Sequence, residues 1–497
     1  CIRLASIAIP DSVTSIGYSA FSNCICLTNL SIGAGVSTIN DQAFYGCRSL
    51  TDVTIPASVT SICRYVFSGC SSLSTINVDP ANTVYASADG VLFSKDFTTL
   101  VQYPGGKTGT YVIPADVTNI AYYAFSGCTS LSAITVDLSN AAFASIDGVL
   151  FSKDYTILVQ YPGGKYGAYA VPENVTNIGS FAFYDCINLT NVTISAGVNS
   201  VGDSAFEGCS GLSGVYFKGN APSLGWDVFF GDYNATVYFL PGATGWESPF
   251  GGCLALLLPY TYEVLGDAVV ITAYVGTNAV EIIPSSIEGL PVTVIGEGAF
   301  EGYGGLSSVQ IGTGVTSIGD WAFHSCTGLS SVTIPGNVTN IGEFAFSQCT
   351  GMTNLVVGAG VTTIGHCAFN FSGLTSVAIP ASVTSIGYLA FAGCASLSAV
   401  NVDPANAVFA SIDGVLFSKD FSTLVQYPGG KVGTYIIPDT VAKIGSYAFF
   451  DCANLTNVTI PAGITSIGGR AFEGCSGLLG CYFKGNAPSL DGYAFNG

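Results

Sequence analysis

The sequence predicts a repeat solenoid of short, mostly parallel strands, on three observations. An Ala-Phe dipeptide with a Cys three positions after the Phe recurs along the chain, its usual 23-residue step carries Phe21 to Phe44 and Phe44 to Phe67, and each unit holds two short β-branched runs between turn residues. The Phe falls at Phe21, Phe44, Phe67, Phe125, Phe183 and Phe206, then at Phe300, Phe323, Phe346, Phe369, Phe391, Phe449, Phe472 and Phe495, with Phe229 a degenerate member. One unit cannot bury its own apolar face, whereas stacked copies form a continuous core with strands about 4.8 Å apart.

Within the unit from Leu329 to Cys349, the residues Leu329, Val332 and Ile334, then Val338 and Ile341, then Ala345 and Phe346 are apolar. Pro335-Gly336 and Gly342 separate these groups, so the first two read as strands. The stretch from Gly342 to Cys349 is expected to form a tight helical turn. Three steps, from Phe67 to Phe125, Phe125 to Phe183 and Phe391 to Phe449, have a 58-residue length, which reads as an ordinary unit carrying a 35-residue insert. The inserts begin near Asn77, Thr135 and Asn401, and their shared Asp-Gly, Lys-Asp and Pro-Gly-Gly turns between apolar runs predict hairpins.

A second period lies above the first: Phe125, Phe183, Phe206 and Phe229 return at one constant offset as Phe391, Phe449, Phe472 and Phe495. The predicted organisation is a first array over 1–252 with a closing segment from about 231, a boundary and start segment over 253–281, and a second array over 282–497 cut before its own closing segment. Cys1 already stands in register with Cys24, so a longer natural polypeptide is expected.

The pattern Leu50, Val53, Ile55-Pro56, Val59, Ile62, Val66-Phe67, Cys70 and Leu73 closely resembles the BspA-like family of leucine-rich repeats. Cys63, Val66, Tyr303 and Ser372 are local departures, and the resemblance lapses only around 231–280. It implies a right-handed leucine-rich-repeat superhelix. It also implies a secreted or cell-surface protein, of a kind found in bacteria and some protists, that adheres to host proteins or to other cells.

Composition narrows the function. An apolar fraction of 49% is ample for a core and excludes a disordered chain, while 13 basic against 32 acidic residues give a net charge of -19. A nucleic-acid binder or an anionic-membrane binder needs clustered Lys and Arg that this chain lacks. The run from Leu254 to Leu258 is far short of the roughly 20 residues that span a bilayer. With His324 and His366 the only histidines, most zinc and Ser-His-Asp chemistry has nowhere to form. Both histidines read as surface substitutions on different coils.

Twelve of the 17 cysteines share one register and read as a ladder of buried free thiols, with Cys26, Cys63, Cys253, Cys367 and Cys481 outside it. No metal site and no cofactor is expected, since only Cys24 and Cys26 approach ligand spacing. Glu207, Glu301 and Glu473 share a column that is not acidic in other units, and Asp79, Asp89 and Asp96 read as turn chemistry without the spacing of a calcium loop. Columns of outward residues, such as Ser31, Thr54, Asn77, Thr135 and Thr193 on the first strand and Thr60, Thr316, Thr339 and Thr362 on the second, make plausible strand surfaces in themselves.

These readings converge on a noncatalytic extracellular binding or adhesion protein whose partner is a protein or surface glycan of a host or neighbouring cell. Its contacts are expected at the inserts, through Lys95, Tyr103 and Lys107, Lys153, Tyr161 and Lys165, and Lys419, Tyr427 and Lys431, which hold six of the nine lysines. The competing reading is that these lysines only keep hairpin edges from pairing. A self-assembling segment of a giant surface layer is the structural alternative. A carbohydrate-active enzyme is the catalytic one, and it lacks an unbroken column of acids.

Overall fold

A run such as Asp52–Ile55 alternates exposed and buried side chains, which puts Val53 and Ile55 inside the coil and Thr54 outside. So short a strand is stable only through its neighbours. In the computed structural model, which describes residues 1–496, Ser6–Ile9 lies parallel to Asn29–Ile32 with Ile7 opposite Leu30 and Ile9 opposite Ile32. A second, two-residue strand behaves alike: Ser15–Ile16, Thr38–Ile39 and Ser61–Ile62 pair in parallel. The register is held because a slip of one residue would turn every inward Ile and Val to solvent. The chain divides into two units, residues up to Leu258 and residues from Pro259.

The third side of each coil departs from expectation, since no residue described is helical. The stretch from Gly342 to Cys349 is a chain of turns whose key amides ladder onto the next coil. Phe323 N donates to the Ala345 carbonyl and Phe346 N to the Ala368 carbonyl, each at 2.7 Å. A helix cannot form here because the residue two before the Phe is left-handed in these coils, with φ of 59° at Trp321, 55° at Phe344 and 52° at Cys367. The geometry puts the Phe rings in offset stacks, with centroids 4.9 Å apart for Phe323 and Phe346 and 5.4 Å for Phe346 and Phe369.

The in-register cysteines do more than fill space. From Cys47 onward each thiol of the column donates to the carbonyl of the aromatic residue in the coil before it: Cys47 to Phe21 at 3.2 Å, Cys209 to Phe183 at 2.9 Å, Cys326 to Phe300 at 3.0 Å and Cys349 to Phe323 at 3.1 Å. Cys is among the few side chains small enough for a buried column that still offers a weak donor. Burial pushes the Cys326 thiol up to about 12 and those of Cys128 and Cys349 higher.

At the end of the first unit Asp232 takes the place of that Cys, three positions after Phe229. It is only 4% exposed, and neither carboxylate oxygen has a hydrogen-bond partner. Desolvation raises its acidity constant to about 8; the nearby Cys209 amide opposes this without completing a hydrogen bond, while Glu207 and Asp185 add to it.

The inserts are built differently from the expectation. Thr99–Gln102 pairs in parallel with Asn119–Ile120 in the second-strand column, and Gly109–Ile113 pairs with Leu131–Val136 in the first-strand column. Tyr103 N then donates to the Ala124 carbonyl at 2.7 Å, the bond that a Phe makes elsewhere. A 58-residue step therefore holds two complete coils, and what is left over is the short hairpin of Tyr85–Ala88 and Val91–Ser94.

The first unit ends on Thr236–Phe239 and Leu254–Leu257, which continue its first-strand sheet, while Trp246 and Phe250 pack at 4.9 and 5.9 Å from Phe217. The second begins with an antiparallel hairpin of Tyr260–Leu265 and Ala268–Tyr274. There the buried Glu281 carboxylate accepts from the Tyr260 and Tyr274 hydroxyls and from Asn278 Nδ2.

Two measurements test the cysteine column. Alkylation of the native protein should mark Cys1 and Cys26, the exposed thiols, well before the buried members of the column, and denaturation without reductant should release the rest; disulfides mapped along the column would contradict the ladder. Asp232→Cys should stabilise the first unit by about 1–3 kcal/mol at pH 9. Between the ordinary carboxyl value and about 8 the folded chain holds a proton that the unfolded chain has released, so wild-type stability falls as pH rises through that window. The gain should therefore fade at pH 4; a gain equal at both pH values would refute the assignment.

Candidate functional site

The insert coils, where sequence placed the partner contacts, are fastened by their own polar residues. Asp89-Gly90 turns the hairpin with φ of 47° and 74°, the paired positive values that favour Asp-Gly, and Asp147-Gly148 and Asp413-Gly414 repeat this. Asp96 accepts from Ser94 Oγ at 2.6 Å and from the Thr98 amide and hydroxyl at 3.1 and 2.9 Å. Asp420 does the same for Ser418 and Ser422, and these bonds pull its carboxyl down to about 2.

An asparagine in each insert, singled out by nothing in the repeat pattern, joins hairpin to coil. Asn82 is 1% exposed; its Nδ2 donates to the Pro56 and Val59 carbonyls at 2.8 and 2.9 Å, while its Oδ1 accepts from the Val84 and Tyr85 amides. Asn140 and Asn406 make the same four bonds. Its signal lay in the comparison of the inserts: Asn stands in all three copies, although the Pro-Ala before Asn82 and Asn406 is Leu-Ser before Asn140.

The predicted contact residues separate into two groups. Tyr103, Tyr161 and Tyr427 are each 1% exposed, so their assignment to a partner surface is corrected. They are the core aromatics of the added coils, with ring centroids 5.7, 5.1 and 5.0 Å from Phe125, Phe183 and Phe449. The six lysines remain at the surface, each with its ammonium on a backbone carbonyl. Lys107, Lys165 and Lys431 donate to the Asp89, Asp147 and Asp413 carbonyls at 2.7, 2.7 and 2.8 Å. Lys95 and Lys419 reach the Pro80 and Pro404 carbonyls, and Lys153 reaches that of Asn140. An ammonium has three donors, so each keeps charge and free protons for a partner.

Beside them stand apolar side chains that packing does not require. Leu138 is 98% exposed, Tyr166 83% and Val432 76%. On the strand face, Val112 and Ile436 lie outward, opposite Thr135 and Thr459. Thr193, expected to be outward and open, is buried, because Tyr216 pairs with it and stacks on Tyr238 at 4.9 Å. In the second-strand column the hydroxyls of Thr316, Thr339, Thr362 and Thr384 donate to the preceding coil's carbonyls at 3.0–3.3 Å. Those donors are committed to the solenoid itself.

The histidines also differ from expectation. Both are half-buried, and they converge on one aromatic pair: His324 packs edge-on against Trp321 and His366 against Phe344, whose rings stack at 4.3 Å. Among the candidate carboxylates Glu473 pairs with Arg470 at 3.5 Å, and Glu301 is exposed. Near Glu207, burial raises Asp185 to about 6. No three His, Cys, Asp or Glu side chains among the described residues are grouped to hold a metal ion.

Asn82→Ala should cost about 1–3 kcal/mol by orphaning buried backbone groups, whereas Lys107→Met should stay within about 1 kcal/mol. Denaturant midpoints of the two variants check this, and equal losses would contradict it.

Comparison with known proteins follows the same outline. The BspA type leucine-rich repeat region, in six copies, matches residues 1–95, 105–158, 167–244, 281–411 and 428–497. The shorter gaps fall within the inserts. Among solved structures, the chain is 26% identical to a leucine-rich cell-surface protein of Faecalibacterium prausnitzii, over 69% of this chain and 76% of that one, with a TM-score of 0.36. It is 27% identical to a leucine-rich repeat protein of T. pallidum, over 46% and 81%, with a TM-score of 0.25. It is 18% identical to the pneumococcal vaccine antigen PcpA, over 91% and 77%, with a TM-score of 0.28. No curated protein matches. With the repeat pattern matched over most of its length, the chain belongs to the BspA-type leucine-rich repeat family.

Proposed function

We propose that the chain is a noncatalytic binding protein of the cell surface or extracellular space, holding a protein or surface glycan of a host or neighbouring cell against its insert-bearing coils. The observation that carries this reading is the exposure of Leu138, Tyr166 and Val432 on coils whose cores are already complete. Exposed apolar side chains next to partly free ammonium groups suit an interface, where apolar contact supplies affinity and charge supplies orientation. The family supports a surface role, and no helix among the described residues is long and apolar enough to cross a membrane. Burial raises the acidity constants of Cys128, Cys326 and Cys349 and leaves little reactive thiolate at those positions, which suits an oxidising exterior.

Binding of the fluorescent chain to a surface-glycan array and to a panel of immobilised secreted proteins tests the reading. For a ligand found there, the variant Leu138→Ser with Tyr166→Ser and Val432→Ser should bind at least about 10-fold more weakly at an unchanged unfolding midpoint. Replacing Lys107, Lys165 and Lys431 by Gln should chiefly slow association. Undiminished binding by both variants would move recognition away from the inserts.

A further inference from the structure

One column of the second unit begins on a glycine, and a slot opens beside it. The left-handed position two residues before each Phe carries Trp321, Phe344, Cys367 and Leu389 in successive coils, but glycine at Gly298 in the coil before Trp321. The ladder runs directly between the two positions: Gly298 N donates to the Asp320 carbonyl, and Trp321 N to that of Glu343. Phe344 covers one face of Trp321, with centroids 4.3 Å apart and planes within 12°. On the opposite side the column offers no ring to stack, because Gly298 has none; His324, with its plane 73° from the indole, meets it edge-on and not as a stack. A shallow slot opens there, lined by Glu297, Gly298, Glu301 and Trp321.

The slot's chemistry is one-sided. Both glutamates are exposed, and neither makes a side-chain hydrogen bond or ion pair among the described residues. Asp320 and Glu343 stand on the adjoining coils, and no Lys or Arg occurs anywhere between Lys218 and Lys419. An open indole face flanked by two carboxylates attracts a cation through the ring quadrupole and through charge together. A hard metal ion would want several oxygen ligands at once, and no such group is assembled here among the described residues.

We infer that the slot over Trp321, walled by Glu297 and Glu301, binds an organic cation: the guanidinium or ammonium group of a basic segment on a partner protein. It lies apart from the inserts in sequence, so either site can fail without the other.

Gly298→Phe supplies the decisive variant. Position 298 has φ of 62°, close to the 55° of Phe344, and a Cβ there meets only Glu301 Oε2 at 3.5 Å. The column therefore accommodates a phenyl ring, which would complete the stack on Trp321 and fill the slot without altering net charge. The chain labelled with 5-fluorotryptophan gives three fluorine signals, from Trp226, Trp246 and Trp321, assigned by Trp→Phe variants. Hexa-arginine should move the Trp321 signal and hexa-citrulline should not. Glu297→Gln with Glu301→Gln should weaken binding at least about 10-fold. Gly298→Phe should abolish it at an unchanged unfolding midpoint. The inference is overturned if Gly298→Phe binds hexa-arginine as wild type does, if citrulline matches arginine, or if choline moves the signal while hexa-arginine leaves it still.

Discussion

The structure depends on the backbone ladder between coils. Strands as short as Ser15–Ile16 or Asp52–Ile55 have no internal hydrogen bonds, and a single coil has no core of its own, so each coil is satisfied only by the one before and the one after. Equivalent atoms must then lie opposite one another at every step. Phe stacks on Phe, thiol follows thiol, and the column of turns bonds across coils instead of coiling into helix.

This constraint makes exceptions informative. A residue that breaks a column meets neighbours still built for the consensus, and its chemistry is left without a partner. Asp232 in the thiol column is such a case, buried with both oxygens unpaired. Gly298, next to Trp321 in the left-handed column, is another, and a slot opens there beside the indole. Conversely, conspicuous features that follow the columns turn out to be structural. The Thr hydroxyls of the second strand bond back to the preceding coil, and the insert tyrosines complete the aromatic stack.

The insert tyrosines also show how a sequence signal can be read too literally. The excess length of each insert exceeds one full coil, so arithmetic already allowed an extra turn of solenoid. Tyr103 is followed by Pro-Gly-Gly and not by the spaced Cys, and so it does not register with the Phe column until Tyr103 N is seen on the Ala124 carbonyl. The lysines of the inserts stay at the surface, but their carbonyl partners lie 18 residues away for Lys107, 15 for Lys95 and 13 for Lys153, and carry no local signature.

The sequence by itself determined the repeat, its period, the inward Ile, Val, Leu and Phe, and the register of the cysteines, because periodic burial leaves a periodic trace. It also determined the acidic charge and the long stretch without a cation. Tertiary structure alone decided that the turn after the second strand is not helical, that each insert holds a whole coil, that His324 and His366 meet one aromatic pair, and that the Trp321 face is open. Those outcomes depend on which atoms of successive coils come into contact across the ladder, and a property of paired coils is written in no single unit.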